Sequence, residues 1–307
     1  VSVPFIGQMY SGYKYKVPLS DILRNFGPPN GALWLVLNTE EYPTNITAFR
    51  LAIAYAINYT QLYDLYVYNG TAFAQPFFGP ISPVFPIYNE VMAMDHLHPY
   101  SYNLSLALHY LNEAGYEGHF YVILPNGTLI GDPSGTQLPT IPIYAITPLT
   151  AIDQEELEII TADLQQIGIS ATVRLVTASY TDSWVSPKAW PPIVDLGWGP
   201  DWPDPIFQSL VATTDIQFGG LGGDEAWINV SWVTQTDSYL PFITNVTNQT
   251  LLVAKIYAFL YNYAPYINIP NVDNYYFVQP YIVNMTYNSF GGYWYNTIAY
   301  ENFTYTE

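Results

Sequence analysis

Short apolar runs and helical spacings alternate along most of this chain. Residues 32–38 form a nearly continuous apolar run after a turn-rich segment, which predicts a buried strand. Residues 47–68 have helical apolar spacing, but Asn58 stands where an N-cap with Gln61 as its partner would interrupt it. We therefore expect two consecutive helices there, the second ending at Asn69-Gly70.

The next elements are predicted from proline and from capping residues. The proline-rich residues 75–86 cannot form regular helix and are expected to cross the surface or line a cleft. Asn103 has the position of a helix N-cap, and Gly115 that of the stop. The apolar face of this helix is expected to include Leu104, Leu108 and Leu111.

A helix that leads into a strand is predicted in the middle of the chain. Thr150 and Asp153 resemble a capping signal, and helical spacing continues to Gly168. Residues 169–176 then alternate as a half-buried strand should, so the two elements form an α/β unit. The remaining predictions are a strand at Ile193–Trp198, a helix starting near Pro205, a helix over 247–262 and extended Tyr-rich segments to the end.

Composition excludes several classes of function. With 307 residues and 50% hydrophobic content, the chain can bury one large core or the cores of two lobes. Only 10% of residues are charged, against about 25% in average domains. The net charge of −18 would repel a phosphate backbone, so nucleic acid is not expected as a partner. The absence of cysteine excludes disulfides and thiolate chemistry.

The sequence contains ten Asn-x-Ser/Thr acceptors, whereas roughly three would be expected by chance. This excess favours an exported, glycosylated protein, although any chain rich in Asn and Thr contains some such triplets. The ten expected glycosylation sites are Asn45, Asn58, Asn69, Asn103, Asn126, Asn229, Asn245, Asn248, Asn284 and Asn302.

Two further expectations concern the environment of the protein. Scarce charge, abundant Tyr and no Cys would suit a hot or acidic exterior, which led us to expect a thermophile or acidophile. The chain opens at Val1 without a signal-peptide pattern, so we expect any signal peptide to lie outside this sequence. No stretch of about 18 apolar residues occurs.

Four segments of the chain carry motifs that occur together, in this order, in one known family. Residues 37–58 contain Arg50-Leu51-Ala52-Ile53, which is similar to an R-x-A-[IL] helix core. Residues 102–116, YNLSLALHYLNEAGY, resemble an L-x-E-A-G-[YF] helix, and residues 150–176 an L-x-x-[IL]-G-[IV] helix and strand. Residues 195–205, DLGWGPDWPDP, resemble a W-x-x-D-x-x-[DE]-P turn. In this order the four segments resemble the extracellular solute-binding proteins of ABC importers, in the family that binds peptides, nickel or oligosaccharides.

The resemblance implies an α/β, two-lobed fold of the type II periplasmic-binding-protein class, in which the lobes close on a ligand. This chain would supply lobe two and the C-terminal part of lobe one. The implied division is 1–38 for the end of lobe one and the crossover strand, 39–262 for the ligand-binding lobe two, and 263–307 for the return to lobe one. The N-terminal part of the same protein would lie outside this sequence.

The implied ligand residues are in the W-x-x-D turn. Family members that bind peptides use the residue matching Asp201 to accept the ligand's α-ammonium, with the residue matching Trp198 close by. A carboxylate and an indole face both attract an ammonium. Trp202 and Trp190 are weaker candidates that matter more for a sugar. The alternatives stay open: Asp201 could be a turn residue, Trp198 a core residue, and Asp204-Pro205 a helix start.

The expected function is capture of peptides or oligosaccharides outside the cell, at the cell surface, for an ABC permease. No catalytic residue, cofactor or metal is expected, because Asp201 and Asp204 in one turn rarely bracket a substrate and His96 and His98 suit a solvated loop. A surface or structural glycoprotein that reuses the fold is the alternative, followed by a secreted hydrolase. Arg50, a rare cation, is expected to pair with acidic residues near its helix.

Overall fold

The computed structural model describes residues 9–10, 17–18, 23–68, 70–200, 203–213, 225–278, 282–283, 285–288, 292–294 and 299–300. The helices are α1 (Thr47–Ala56), α2 (Tyr59–Asp64), α3 (Ile87–Met94), α4 (Leu104–Gly118), α5 (Ala151–Gln166), α6 (Pro205–Val211), α7 (Ser231–Tyr239) and α8 (Val246–Tyr263), with short 3₁₀ turns at Ala178–Ser183 and Leu240–Phe242. The strands are β1 (Met9–Tyr10), β2 (Val17–Pro18), β3 (Leu23–Asn25), β4 (Ala32–Leu37), β5 (Val67–Tyr68), β6 (Thr71–Ala72), β7 (Phe120–Ile123), β8 (Leu129–Gly131), β9 (Thr136–Gln137), β10 (Ile141–Thr147), β11 (Ala171–Thr177), β12 (Ile193–Trp198), β13 (Tyr266–Ile269), β14 (Tyr275–Phe277), β15 (Ile282–Val283), β16 (Thr286–Asn288), β17 (Gly292–Trp294) and β18 (Ala299–Tyr300). The fold is mixed α/β.

A five-stranded sheet forms the centre, in the order β11–β10–β12–β4–β13. Strand β10 runs parallel to both β11 and β12, whereas β4 runs antiparallel to both β12 and β13. Four strands therefore point the same way and β4 alone is reversed. The predicted apolar run is β4, and five of its six residues are buried because neighbours cover it on both edges and both faces.

The outer strand β11 corrects one sequence-based prediction. Alternation predicted a half-buried strand, but β11 is largely exposed, with Val173 37% and Leu175 55% accessible. Strand β11 pairs only with β10 within the described sheet, so it lies at the edge. An alternating pattern shows which residues share a face, but it does not show whether a neighbouring element covers that face.

Helices α1 and α2 confirm the predicted break at Asn58. The Asn58 side chain accepts a hydrogen bond from Gln61 N at 3.3 Å. The expected end at Asn69-Gly70 is wrong, since α2 stops at Asp64 and a hairpin of β5 and β6 follows. Tyr66, which lies just after the end of α2, packs instead in a small buried cluster with Phe73.

Helix α4 confirms its cap and corrects its end. The Asn103 side chain accepts from Leu106 N at 3.0 Å, but the helix continues past Gly115 to Gly118. A Cβ added at Gly115 would lie 2.4 Å from the Cα of Gly131, so this glycine permits close contact between α4 and β8. Its buried face is Ala107, Leu111, Ala114 and Gly115, while Leu104 is exposed.

The capping box of α5 is confirmed in both directions. Asp153 N donates to the Thr150 hydroxyl at 3.2 Å, and Thr150 N donates to the Asp153 carboxylate at 2.7 Å. Leu157, Ile160 and Leu164 are buried as predicted. These residues join the core cluster that includes the sheet residues Ile143 and Ile193.

The proline-rich residues 75–86 contain no helix, as predicted, and they contact β13. The Asn268 side chain of β13 bonds both to the amide and to the carbonyl of Gly79, at 2.9 and 3.1 Å. Just before the passage, Ala74 forms an isolated bridge with Val272, which follows β13. These bonds fix the passage against the end of the sheet.

Arg50 is fully buried in α1, and its contacts correct the expected ion pair. Its guanidinium donates to the carbonyls of Tyr263 and Thr44, at 2.8 and 2.6 Å, and to the Thr47 hydroxyl at 3.0 Å. It also lies 4.1 Å from the centroid of the Tyr263 ring. No carboxylate among the described residues forms an ion pair with it, and burial lowers its pKa to about 10.

Candidate functional site

The carboxyl ends of β10, β11, β12 and β13 lie along one edge of the central sheet, because these four strands share a direction. In open α/β sheets, ligands bind outside the carboxyl ends of the strands. Trp198 is the last residue of β12, and its partner in the register is Ala32, the first residue of β4. The predicted ligand turn therefore starts from the edge that such sheets use for binding.

Trp198 is partly buried and held from two sides. Its carbonyl accepts a hydrogen bond from Gln208 Nε2 of α6 at 3.2 Å. A Cβ added at Gly31 would lie 2.4 Å from that same carbonyl, so the segment before β4 packs tightly against it. The indole Nε1 of Trp198 and the Oε1 of Gln208 are buried without a hydrogen-bond partner in the described part of the chain.

Asp204 and Pro205 have the structural role that was one of the alternatives. The Asp204 carboxylate accepts from Ile206 N at 2.9 Å and from Phe207 N at 3.4 Å, which makes it the N-cap of α6. Pro205 occupies the first turn. Asp201 and Trp202 lie outside the described residues, so their proposed contacts stay predictions.

Trp190 and Trp198 lie at opposite ends of strand β12. Trp190 precedes the amino end of β12, and its carbonyl accepts from Asn38 at 3.1 Å just past the carboxyl end of β4. The six residues of β12, at about 3.3 Å each, separate these two ends. The centroid of the Trp190 ring lies 5.1 Å from that of Trp184 and 6.1 Å from that of Trp227. The structure therefore does not bring Trp190 and Trp198 together.

A group of carboxyl side chains between α5 and β12, formed by Glu156, Asp153 and Asp195, was not predicted from the sequence. Glu156 of α5 is 4% exposed, and it accepts a hydrogen bond from Tyr66, while its Oε1 has no partner within the described residues. The pKa of Glu156 is raised to about 8, chiefly by burial and also by the nearby carboxylates of Asp195 and Asp153, while the hydrogen bond from Tyr66 opposes the shift. Burial, with Asp153, likewise raises the pKa of Asp195 to about 6.

Two signals in the sequence could have indicated this group. Asp195 interrupts the otherwise uncharged run of β12, and Glu156 shares the helical register of Ile152 and Ile159. A carboxyl at a core position with no nearby cation must be neutral or compensated.

The expected glycosylation sites differ in their surroundings. Asn45, Asn103, Asn126, Asn229, Asn245 and Asn248 are exposed, and Asn58 is partly buried. Asn58, Asn103 and Asn245 cap helices through their side-chain oxygen, which leaves the amide nitrogen that carries a glycan. Asn69, Asn284 and Asn302 lie outside the described residues. Glycosylation itself stays a prediction.

The described part of the chain has no arrangement typical of a metal site or a membrane-spanning helix. His96 and His98 lie in an exposed loop after α3, and no group of three or more potential ligand side chains there could hold a metal ion. None of the described helices has the length and apolar character needed to cross a bilayer.

Comparison with known families places residues 1–217 on the model of "Bacterial extracellular solute-binding proteins, family 5 Middle". Among curated proteins, no sequence matches this chain. The match covers the turn that ends β12 and the helices whose motifs carry the resemblance.

Solved structures share the fold at low identity. DppA from Helicobacter pylori, in complex with the peptide STSA, has a TM-score of 0.65 at 20% identity, over 92% of this chain and 49% of that one. AppA from Bacillus subtilis, in complex with a nonapeptide, has a TM-score of 0.68 at 16% identity, over 93% and 55%. HbpA2 from Haemophilus parasuis has a TM-score of 0.70 at 18% identity, over 93% and 53%. This chain spans about half the length of these proteins.

Proposed function

Because the chain belongs to the bacterial extracellular solute-binding proteins of family 5, we propose that it contributes one lobe of a peptide-binding component of an ABC importer. The single observation that carries the proposal is the position of Trp198 at the carboxyl end of β12, directly before the turn that contains Asp201. Structural relatives in complex with peptides support peptides over oligosaccharides as the ligand.

The pairing of strands on either side of residues 39–262 supports the proposed division of the chain. Strands β4 and β13 are neighbours, and the segments beyond their ends, β3 and β14, pair with each other in a separate small sheet. Two adjacent connections of this kind suit a hinge between residues 39–262 and the rest of the protein. The first lobe would then be completed by a part of the protein outside these 307 residues.

In the proposed complex, the Asp201 carboxylate accepts a hydrogen bond from the α-ammonium of the peptide, and Trp198 lines the cleft. The indole N–H of Trp198 has no acceptor among the described residues, and this supports the role because buried donors in native proteins almost always have an acceptor. A bound peptide carbonyl would supply one. Trp202 is proposed to lie near the same ligand, whereas Trp190 would require a ligand that reaches the far edge of the sheet.

The ligand class can be tested with protein that carries both lobes. Native mass spectrometry with a pool of di- to pentapeptides and a pool of malto-oligosaccharides should retain a peptide and no sugar. Asp201→Ala should weaken binding of that peptide by about 2 to 4 kcal/mol in calorimetry, because a buried ammonium loses its carboxylate. The N-acetylated peptide serves as the matched control.

The combination of variant and modified peptide decides the assignment. Acetylation should weaken binding to the unmodified protein by a similar factor and cause little further loss in Asp201→Ala. Additive losses would show that Asp201 does not contact the ammonium. Retention of the oligosaccharide alone would refute the peptide proposal. The expected export and glycosylation are checked separately, by the intact mass of the native protein.

A further inference from the structure

A cavity of about 310 Å³ lies where four segments meet. Its walls come from the end of β3 and its connection to β4, from the proline-rich passage, from helix α3 and from the connection between β13 and β14. The side chains of its wall that carry the argument are Asn25, Phe77, Tyr88 and Asp273, together with four prolines. The cavity shares no lining residue with the turn that follows Trp198. Its volume is at the lower end of the range for small-molecule sites.

Asp273 places a carboxylate in this wall, and no cation among the described residues balances it. The residue is 6% exposed, and its Oδ2 accepts a hydrogen bond from Asn25 Nδ2 at 3.2 Å. Within the described residues, no Lys, Arg or His forms an ion pair with it. Burial raises the pKa of Asp273, although the bond from Asn25 opposes this. A buried carboxylate is unfavourable unless a cation or further donors compensate it.

The rest of the wall suits the body of an organic cation. Phe77 and Tyr88 are buried, with ring centroids 6.4 Å apart and planes at 81°. The faces of aromatic rings attract cations, and their surfaces also accept apolar groups. Four proline rings add apolar surface without backbone N–H groups that would need acceptors.

We propose that this cavity binds a small organic ammonium ion, which donates a hydrogen bond to Asp273 and packs its carbon skeleton against Phe77 and Tyr88. A charge-assisted bond in a partly desolvated pocket provides both affinity and a preference for positive charge. The inference stands on Asp273 and the lining of this cavity, which includes no residue of the turn after Trp198, and it does not rest on the proposed function.

Isothermal titration with benzylammonium chloride tests the proposal, with benzyl alcohol as the uncharged match. Benzylammonium should bind saturably with a dissociation constant of about 1 mM or tighter, and benzyl alcohol at least about tenfold more weakly. Asp273→Asn should reduce benzylammonium affinity at least about tenfold, since the amide keeps the shape and loses the charge. Glu158→Gln, which removes an exposed charge elsewhere, should leave the affinity unchanged.

Three outcomes of the titration would overturn the proposal. Equal affinity for the amine and the alcohol, unchanged affinity in Asp273→Asn, or no heat of binding would each overturn the proposal. If circular dichroism shows that Asp273→Asn does not fold, Phe77→Leu decides instead, because it keeps the carboxylate and removes the ring. Phe77→Leu should weaken benzylammonium binding about threefold or more, and unchanged binding would overturn the proposal.

Discussion

Replacing Glu156 with Gln should make the stability of this protein less dependent on pH. In the folded chain, burial raises the pKa of Glu156 from 4.5 to about 8. The unfolded chain has no such burial, so its carboxyl titrates near the ordinary value. Between these two pH values the folded state keeps a proton that the unfolded state releases, and stability is therefore lost as the pH rises through this window.

The magnitude follows from the difference between the two pKa values. At about 1.36 kcal/mol for each pKa unit, the change from 4.5 to about 8 corresponds to a loss on the order of 5 kcal/mol once Glu156 is ionised. Glutamine has the same shape, can still accept a hydrogen bond from Tyr66, and cannot ionise. Glu156→Gln should therefore match the unchanged protein near pH 4 and be more stable by a few kcal/mol above pH 8.

Urea unfolding monitored by tryptophan fluorescence, repeated from pH 4 to pH 9, measures this difference. Glu155→Gln is the matched control, because Glu155 is the exposed neighbour of Glu156 on the same helix. The control should shift stability by no more than about 0.5 kcal/mol. Parallel curves for Glu156→Gln and the unchanged protein across the whole range would refute the reasoning, since a carboxyl that is already ionised at pH 5 gives no window. Greater stability in acid would also agree with the expectation of an acidic exterior.

Two further changes test the packing. Arg50→Met should lower the free energy of unfolding by about 2 to 4 kcal/mol in urea, because the buried carbonyls of Thr44 and Tyr263 lose their donor; a loss below about 1 kcal/mol would contradict this. Gly115→Ala should lower the melting temperature despite the better helix propensity of alanine, because its Cβ would meet Gly131 and cost about 1 to 3 kcal/mol, and a stabilised variant would show that α4 and β8 can separate.

Local signals in the sequence predicted the starts of elements well. The caps at Asn58, Asn103 and Thr150 all form as expected. A cap depends on residues three positions apart, so the sequence contains both partners. The strand at Ile193–Trp198 was predicted because an apolar run bounded by turn residues is itself a local pattern.

The predictions that were wrong concern residues whose contacts come from segments distant in the sequence. Gly115 looked like a helix stop, but the nearness of β8 explains why it must be glycine. The apolar residues of β11 looked half-buried, but β11 lies at the edge of the sheet. Arg50 looked like half of an ion pair, but the chain before α1 and the end of α8 supply backbone carbonyls to it.

The candidate site divides in the same way. The W-x-x-D motif alone led to the turn after Trp198. The sequence by itself also determined the family, the α/β class and the acidic, cysteine-free composition of the chain. Only the tertiary structure separated Trp190 from Trp198, joined Gln208 to the Trp198 carbonyl, and buried the carboxyls of Glu156 and Asp273. Motifs and periodicities record contacts between residues that are close in the chain, whereas burial and pKa depend on which distant segments exclude water from a group.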